Sequence, residues 1–192
     1  ALRDALVARG GVLAFSATSG VETPLYYAEP GSAAASPPPE AFHTFANHIW
    51  ADAAIAEARH VLDGVGISHA SFSKLRVGSG ASAAATELLE HCTTNRVPKV
   101  AGGVRLTYLP TASGKLHGEC TVARVGGKGE HEYYVVGGRD AAPHDLAWLR
   151  ARRAALFGAD AGDETVALSD ASDAVEILHI AGPRSLALLS AI

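Results

Sequence analysis

The stretch Gly102–Val122, GGVRLTYLPTASGKLHGECTV, decides how the chain folds. It reads as two strands joined by the polar turn Thr111–Gly114, with Leu106, Tyr108, Leu116, Cys120 and Val122 available to supply apolar faces. Glu119 falls inside the second strand, between Gly118 and Cys120. A carboxylate in an otherwise apolar strand is costly to bury without a partner. Glu119 therefore faces solvent on an edge strand, meets an arginine, or handles a ligand.

Downstream of this hairpin, Glu132–Val136 (EYYVV) reads as a strand closed by Gly137 and Gly138. Ala141–Leu156 reads as a helix, with Pro143 in its first turn, Leu146, Leu149, Arg153 and Leu156 along one stripe, and Trp148 beside it. Val175–Ile180 (VEILHI) is a further strand, and Ala181–Pro183 turns into a final helix.

Upstream, Phe45, Ile49, Ile55 and Val61 recur near helical spacing from Ala41 onward, with Trp50 as an anchor and Asp63–Gly64 as the stop. Val65–Val77 alternates as extended chain, and Gly78–Gly80 turns into a helix over Ala81–Cys92. That Gly-x-Gly lacks the third glycine and acidic partner of a dinucleotide fingerprint. At the start, Leu2–Arg9 is helix-like, GGVLAF follows, and a loop leads to PLYYAEP. Gly31–Glu40 (GSAAASPPPE) is linker-like, because three consecutive prolines neither pair in a sheet nor continue a helix. The expected fold is α+β, a mostly antiparallel sheet with packed helices. Residues 1–43 form an N-terminal segment and Pro-rich loop, and residues 44–192 the folded domain.

Composition narrows the function classes. In 192 residues, 48% are apolar and 19% charged, which suits an ordinary core and excludes a disordered chain. A formal charge of −4 argues against nucleic acid, and no apolar run approaches the ~20 residues of a membrane span, so a soluble domain is expected. Cys92 and Cys120 read as reduced core residues without a neighbouring base. His43 and His48 are five apart, not four, and the other histidines are scattered, so no metal site is expected. No nucleophile-elbow pattern occurs. The chain has no methionine, and GPRSLALLSAI stops within an amphipathic pattern, so it reads as a piece of a longer polypeptide.

A resemblance extends this reading. VGISHASFSKLRV resembles a segment that runs VGLFD(L/M)SxFGKFxV, and ATELLEHCTTNRV is similar to LLxxLxxNxV. GKLHGECTVARV resembles GGIESDLTVTRL, EYYVVGGRDAAPHDLAWLR resembles xFxLVTGxxxxxHDLxWLRR, and VEILHIAGPRSLALL resembles xxVLxLxGPxSRxLL. These segments belong, in this order, to the folate-binding, aminomethyltransferase-like domain of dimethylglycine and sarcosine dehydrogenases, which also makes up the glycine-cleavage T-protein. HDLAWL at His144–Leu149 points to the dehydrogenase branch, and residues 9–27 are similar to what precedes the domain there.

The resemblance implies the first part of a T-protein-like folate-binding domain. Its ligand is tetrahydrofolate, which accepts a one-carbon unit from an oxidised N-methyl amine substrate; FAD belongs to a domain upstream of this chain. Glu119 stands where the family's folate-holding aspartate stands, and Tyr108 is two residues beyond the family tyrosine position, here Leu106. Other departures are Lys115 for a glycine, His117 for a glutamate, and Ser68 for an aspartate, followed by His69 and Ala70. These departures imply an alternative: a non-catalytic member serving a protein partner, as in the regulatory subunit of pyruvate dehydrogenase phosphatase. Eukaryotic relatives imply mitochondria, and bacterial ones the cytoplasm.

Overall fold

The computed structural model describes residues 51–70, 72–138 and 140–192 in full, and the backbone of Val12–Ser16 and Thr23–Ala28. The expected helix at Leu2–Arg9, the linker at Gly31–Glu40, and Phe45, Ile49 and Trp50 lie outside the described residues. The chain divides into two compact units, one of residues 1–68 with 179–192, the other of residues 69–178.

In the first unit, β1 (Val12–Ser16) and β2 (Thr23–Ala28) form an antiparallel hairpin. A strand pair here extends the sequence reading, which left PLYYAEP after a loop. Helix α1 (Ala51–Asp63) ends where Asp63–Gly64 was expected to end it. The strands β3 (Gly66–His69) and β9 (Leu178–Ala181) pair with each other, and α4 (Ser185–Leu189) follows. Gly182, at φ 114°, hands β9 on to α4: an added Cβ would stand 2.4 Å from the carbonyl oxygens of Val61 and Gly64, so no other residue fits. Residues 65–77 are two strands rather than one, because Phe72 N donates to Ala70 O in a tight bend between them.

The second unit is built on a five-stranded antiparallel sheet. Its strands are β4 (Ser73–Gly78), β5 (Val104–Pro110), β6 (Leu116–Arg124), β7 (Glu132–Gly137) and β8 (Ala167–Asp170), in the order β5-β6-β7-β4-β8. The α+β expectation holds. β8 had no sequence signal, since ALSD is too short and polar to show alternation. The helix after Gly78–Gly80 begins at Ala84 rather than Ala81, with the Ser79 hydroxyl accepting from Ala85 N at its start. This α2 (Ala84–Cys92) and α3 (Ala142–Phe157) cover one face of the sheet.

The core lies between them. Leu88, Leu89 and Cys92 of α2 and Leu149 of α3 pack with Leu75, Val77, Leu109, Cys120, Val122, Tyr133 and Val135 from the sheet. A partly buried polar chain borders it. The Thr86 hydroxyl bonds both His131 Nδ1 (2.6 Å) and the Tyr133 hydroxyl (2.7 Å), and Arg124 donates to Tyr133 and to Glu130 O. These bonds satisfy the Thr86 and Tyr133 hydroxyls, whereas Arg124 Nε is buried without a hydrogen-bond partner among the described residues.

The two faces of the sheet predict different responses to truncation. Leu88→Ala, at a fully buried site, is expected to cost about 2–5 kcal/mol. Leu106→Ala, on the opposite face and 54% exposed, is expected to cost well under ~1 kcal/mol. Urea unfolding of both variants measures the contrast.

Candidate functional site

Strand parity across the central hairpin sets the site. In the β5–β6 register Thr107 faces Cys120 and Arg105 faces Val122, whereas Tyr108 faces Glu119 and Leu106 faces Thr121. Thr107, Leu109, Cys120 and Val122 are buried against the helices. Leu106, Tyr108, Glu119 and Thr121 stand on the open face, and Val136 of β7, opposite Thr121, joins them. Thus Leu106 and Tyr108 do not share a core face with Cys120 and Val122, and Leu116 is exposed beyond the bulge where Pro110 pairs with it. A single residue of offset places side chains on opposite sides of a strand.

Glu119 is exposed, yet β6 is an interior strand and not an edge. Among the described residues its carboxylate has no hydrogen-bond or ion-pair partner, arginine included. The solvent-facing explanation survives only in part, because Glu119 lines a cleft of about 540 Å³. Phe72 and Leu106 give this cleft apolar walls, and Gly137, Gly138 and Ala141 form the side where β7 leads into α3. Asp140 in that connection holds φ at 61°, a left-handed conformation that aspartate tolerates better than most residues. Among the described residues, no lysine or arginine lines the cleft.

The remaining chemistry comes from residues the sequence reading passed over. Asp145, in the first turn of α3, is buried and accepts a hydrogen bond at Oδ1 from His117 Nε2 of β6 at 3.1 Å. Both side chains are less than one-tenth exposed. An acid in the first helical turn is also favoured by the helix dipole. The His117 ring stacks on His144 (centroids 4.3 Å apart, planes 13° apart) and on Trp148 (4.7 Å, 21°). His144 Nδ1 stands 3.9 Å from the same Asp145 oxygen, with its own side chain 72% exposed.

Gly137 makes room for this arrangement. A Cβ there would stand 2.9 Å from both Asp145 Oδ2 and the buried Ser73 hydroxyl, which has no hydrogen-bond partner among the described residues. The histidines at 117 and 144 are therefore not scattered: positions 27 apart in the sequence return to the same point through β7. HDLAWL carried the clue, since i, i+3 and i+7 spacing from Ala142 puts Asp145 on the buried stripe with Leu149.

Of the sequence-predicted residues, Glu119 and Tyr108 meet across the hairpin, but Tyr108 stands outside the cleft lining. Lys115 is exposed in the turn. Ser68 belongs to the first unit, where it lines a depression with Glu57, His60 and His179.

Cys120 also lines the cleft, but burial first, and then the negative charges of Asp145 and Glu119, push its thiol up to about 12. Burial does the same for Cys92. Both are free and buried, as expected.

Residues 2–192 match the family described as GCVT N-terminal domain. No curated protein matches the chain. Among solved structures, the glycine cleavage system aminomethyltransferase T from Bartonella henselae is similar in fold, with a TM-score of 0.63 at 18% identity. The alignment covers 99% of this chain and 42% of that one, so this chain spans less than half the length of that relative. No helix among the described residues is long and apolar enough to cross a membrane.

The raised thiol pKa values carry a signed expectation. A thiol raised in the folded state stabilises the fold below its ordinary value of 9.0 and loses that contribution as pH climbs toward about 12. Neither cysteine is expected to react with a disulfide reagent at pH 8 until urea unfolds the protein, after which both should react. Rapid labelling of the native chain would contradict the burial.

Proposed function

We propose that this chain, which belongs to the GCVT N-terminal domain family, provides the tetrahydrofolate-binding face of an aminomethyltransferase-type enzyme, organised around Glu119. The observation that carries this reading is a carboxylate on an open sheet face that lines a cleft and has, among the described residues, neither a partner nor a lysine or arginine beside it in the lining. Surface of this kind fits a flat heteroaromatic ring that carries N–H donors. When bound, tetrahydrofolate supplies a nitrogen that takes up a one-carbon unit.

The chain's own residues account for binding and orientation. Glu119 accepts a hydrogen bond from a ring N–H and holds a proton released at that position. Tyr108 stands directly across the β5–β6 pair from Glu119. Phe72 and Leu106 keep water from one side of the cleft. Relative to an aspartate, Glu119 reaches one methylene further. Placement matters here, since a shift of about 1 Å at a reacting group can change a rate by about a hundredfold.

In its finer form, the reading places this chain in a protein of the dimethylglycine and sarcosine dehydrogenase kind. There the one-carbon unit comes from an N-methyl amine oxidised in a flavin domain upstream, which is where FAD would be held. Such a protein is mitochondrial in a eukaryote and cytoplasmic in a bacterium. One observation favours a second reading, a non-catalytic member that serves a protein partner. His117, at the position of a glutamate in the family motif, is committed to Asp145 and so does not reproduce that glutamate's role.

Calorimetric titration of the protein with tetrahydrofolate under reducing conditions separates the two. Saturable binding is expected, weakened about tenfold or more in Glu119→Ala, as for loss of a hydrogen bond to a charged group. Binding that is indifferent to Glu119→Ala would remove Glu119 from the site. No binding by the folded protein would favour the protein-partner reading.

A further inference from the structure

The cluster of His117, His144 and Asp145 has a chemistry of its own. We propose that these three side chains bind one divalent transition-metal cation of the zinc class at the wall of the cleft. Two imidazoles and one carboxylate are the donor set that suits zinc, cobalt or iron(II), whereas magnesium and calcium prefer oxygen ligands throughout.

The geometry is close to what such a cation needs. One ligand atom from each residue lies within 4.8 Å of the other two. Around a cation with bonds of about 2.0–2.1 Å, tetrahedral ligand atoms stand roughly 3.3–3.4 Å apart. His117 Nε2 and Asp145 Oδ1 are 3.1 Å apart, and His144 Nδ1 is 3.9 Å from the same oxygen. Only His144 has to move. It is the one exposed member, so a side-chain rotation that gives up its stacking on His117 brings its nitrogen in.

The other two ligands are held. His117 is held by its ring contact with Trp148, and Asp145 by the first turn of α3 against Gly137; the proton that now joins His117 Nε2 to Asp145 Oδ1 leaves when a cation takes its place. Orienting contacts of this sort are what set a ligand ring before a metal arrives.

Electrostatics favour the same assignment. Asp145 is a buried carboxylate, Glu119 lines the same cleft, and among the described residues no lysine or arginine lines it to compensate them. A cation among the three ligands would stand where two carboxylates line one cleft. Three protein ligands leave a coordination position open toward the cleft, the arrangement found where a metal meets water or a substrate rather than only bracing a fold. The competing description is a satisfied His–Asp pair with a second histidine resting on it. That description accounts for the His117–Asp145 bond and leaves the placement of a second imidazole nitrogen 3.9 Å from the same oxygen unexplained.

This proposal stands whether or not tetrahydrofolate binds, and its test reads metal directly. The tag-free chain, stripped with a chelator and dialysed, is titrated with Zn²⁺ by calorimetry and with Co²⁺ by visible absorption. Imidazole resonances are followed by NMR in parallel. One equivalent is expected to bind, with the His117 and His144 signals shifting together. His144→Ala, at an exposed position that leaves the core intact, is expected to weaken binding by about tenfold or more, as for loss of one ligand. Circular dichroism checks that the variant is folded. No binding by the native chain would overturn the proposal, and so would affinity unchanged in His144→Ala or shifts confined to other histidines.

Discussion

The register of the β5–β6 hairpin is the constraint on which the second unit depends. Pairing Tyr108 with Glu119 and Thr107 with Cys120 assigns the residues of Val104–Leu109 and Gly118–Ala123 to one of two faces, up to the bulge at the hairpin end. One face receives α2 and α3 and becomes the core; the other stays open and carries Glu119. A slip of one residue would bury the carboxylate among leucines and expose Cys120 and Val122. The free-energy penalty for that exchange is what makes the register unique.

The cleft follows from that register and from one short connection. β7 passes through Gly137 and Gly138 into α3 within a few residues, which brings the first helical turn against β6. There, two carboxylates meet different fates. Asp145 is buried and paired, whereas Glu119 is exposed and unpaired. A compensated acid contributes to the fold, and an uncompensated one on an accessible face is available to a ligand. The same cleft therefore holds a hydrogen-bonded His–Asp pair and an exposed carboxylate, with Cys120 beneath them kept neutral by its surroundings.

The departures from the family motif take on a physical shape in this light. Lys115 lies in an exposed turn, where substitution costs little. Ser68 belongs to the other compact unit. His117 is different, because it has acquired a partner on α3 and two ring neighbours. A residue so placed is part of the packing, and replacing it would disturb α3 as well as the cleft.

Much of the fold was legible in the sequence. Alternating residues marked the hairpin and EYYVV, helical spacing marked α3, and glycines marked the turns, all because local geometry repeats with a fixed period. Glu119 stood out for the same local reason, as a charge within an apolar strand. β8 was invisible, since four residues with mixed polarity carry no period. The His117–His144–Asp145 cluster was invisible as well, since residues on β6 and α3 meet only through the course of β7 between them. Sequence pattern determines which face a residue takes within its own element. Which residues of separate elements meet is decided by strand order and helix docking, and these depend on the burial of the whole core.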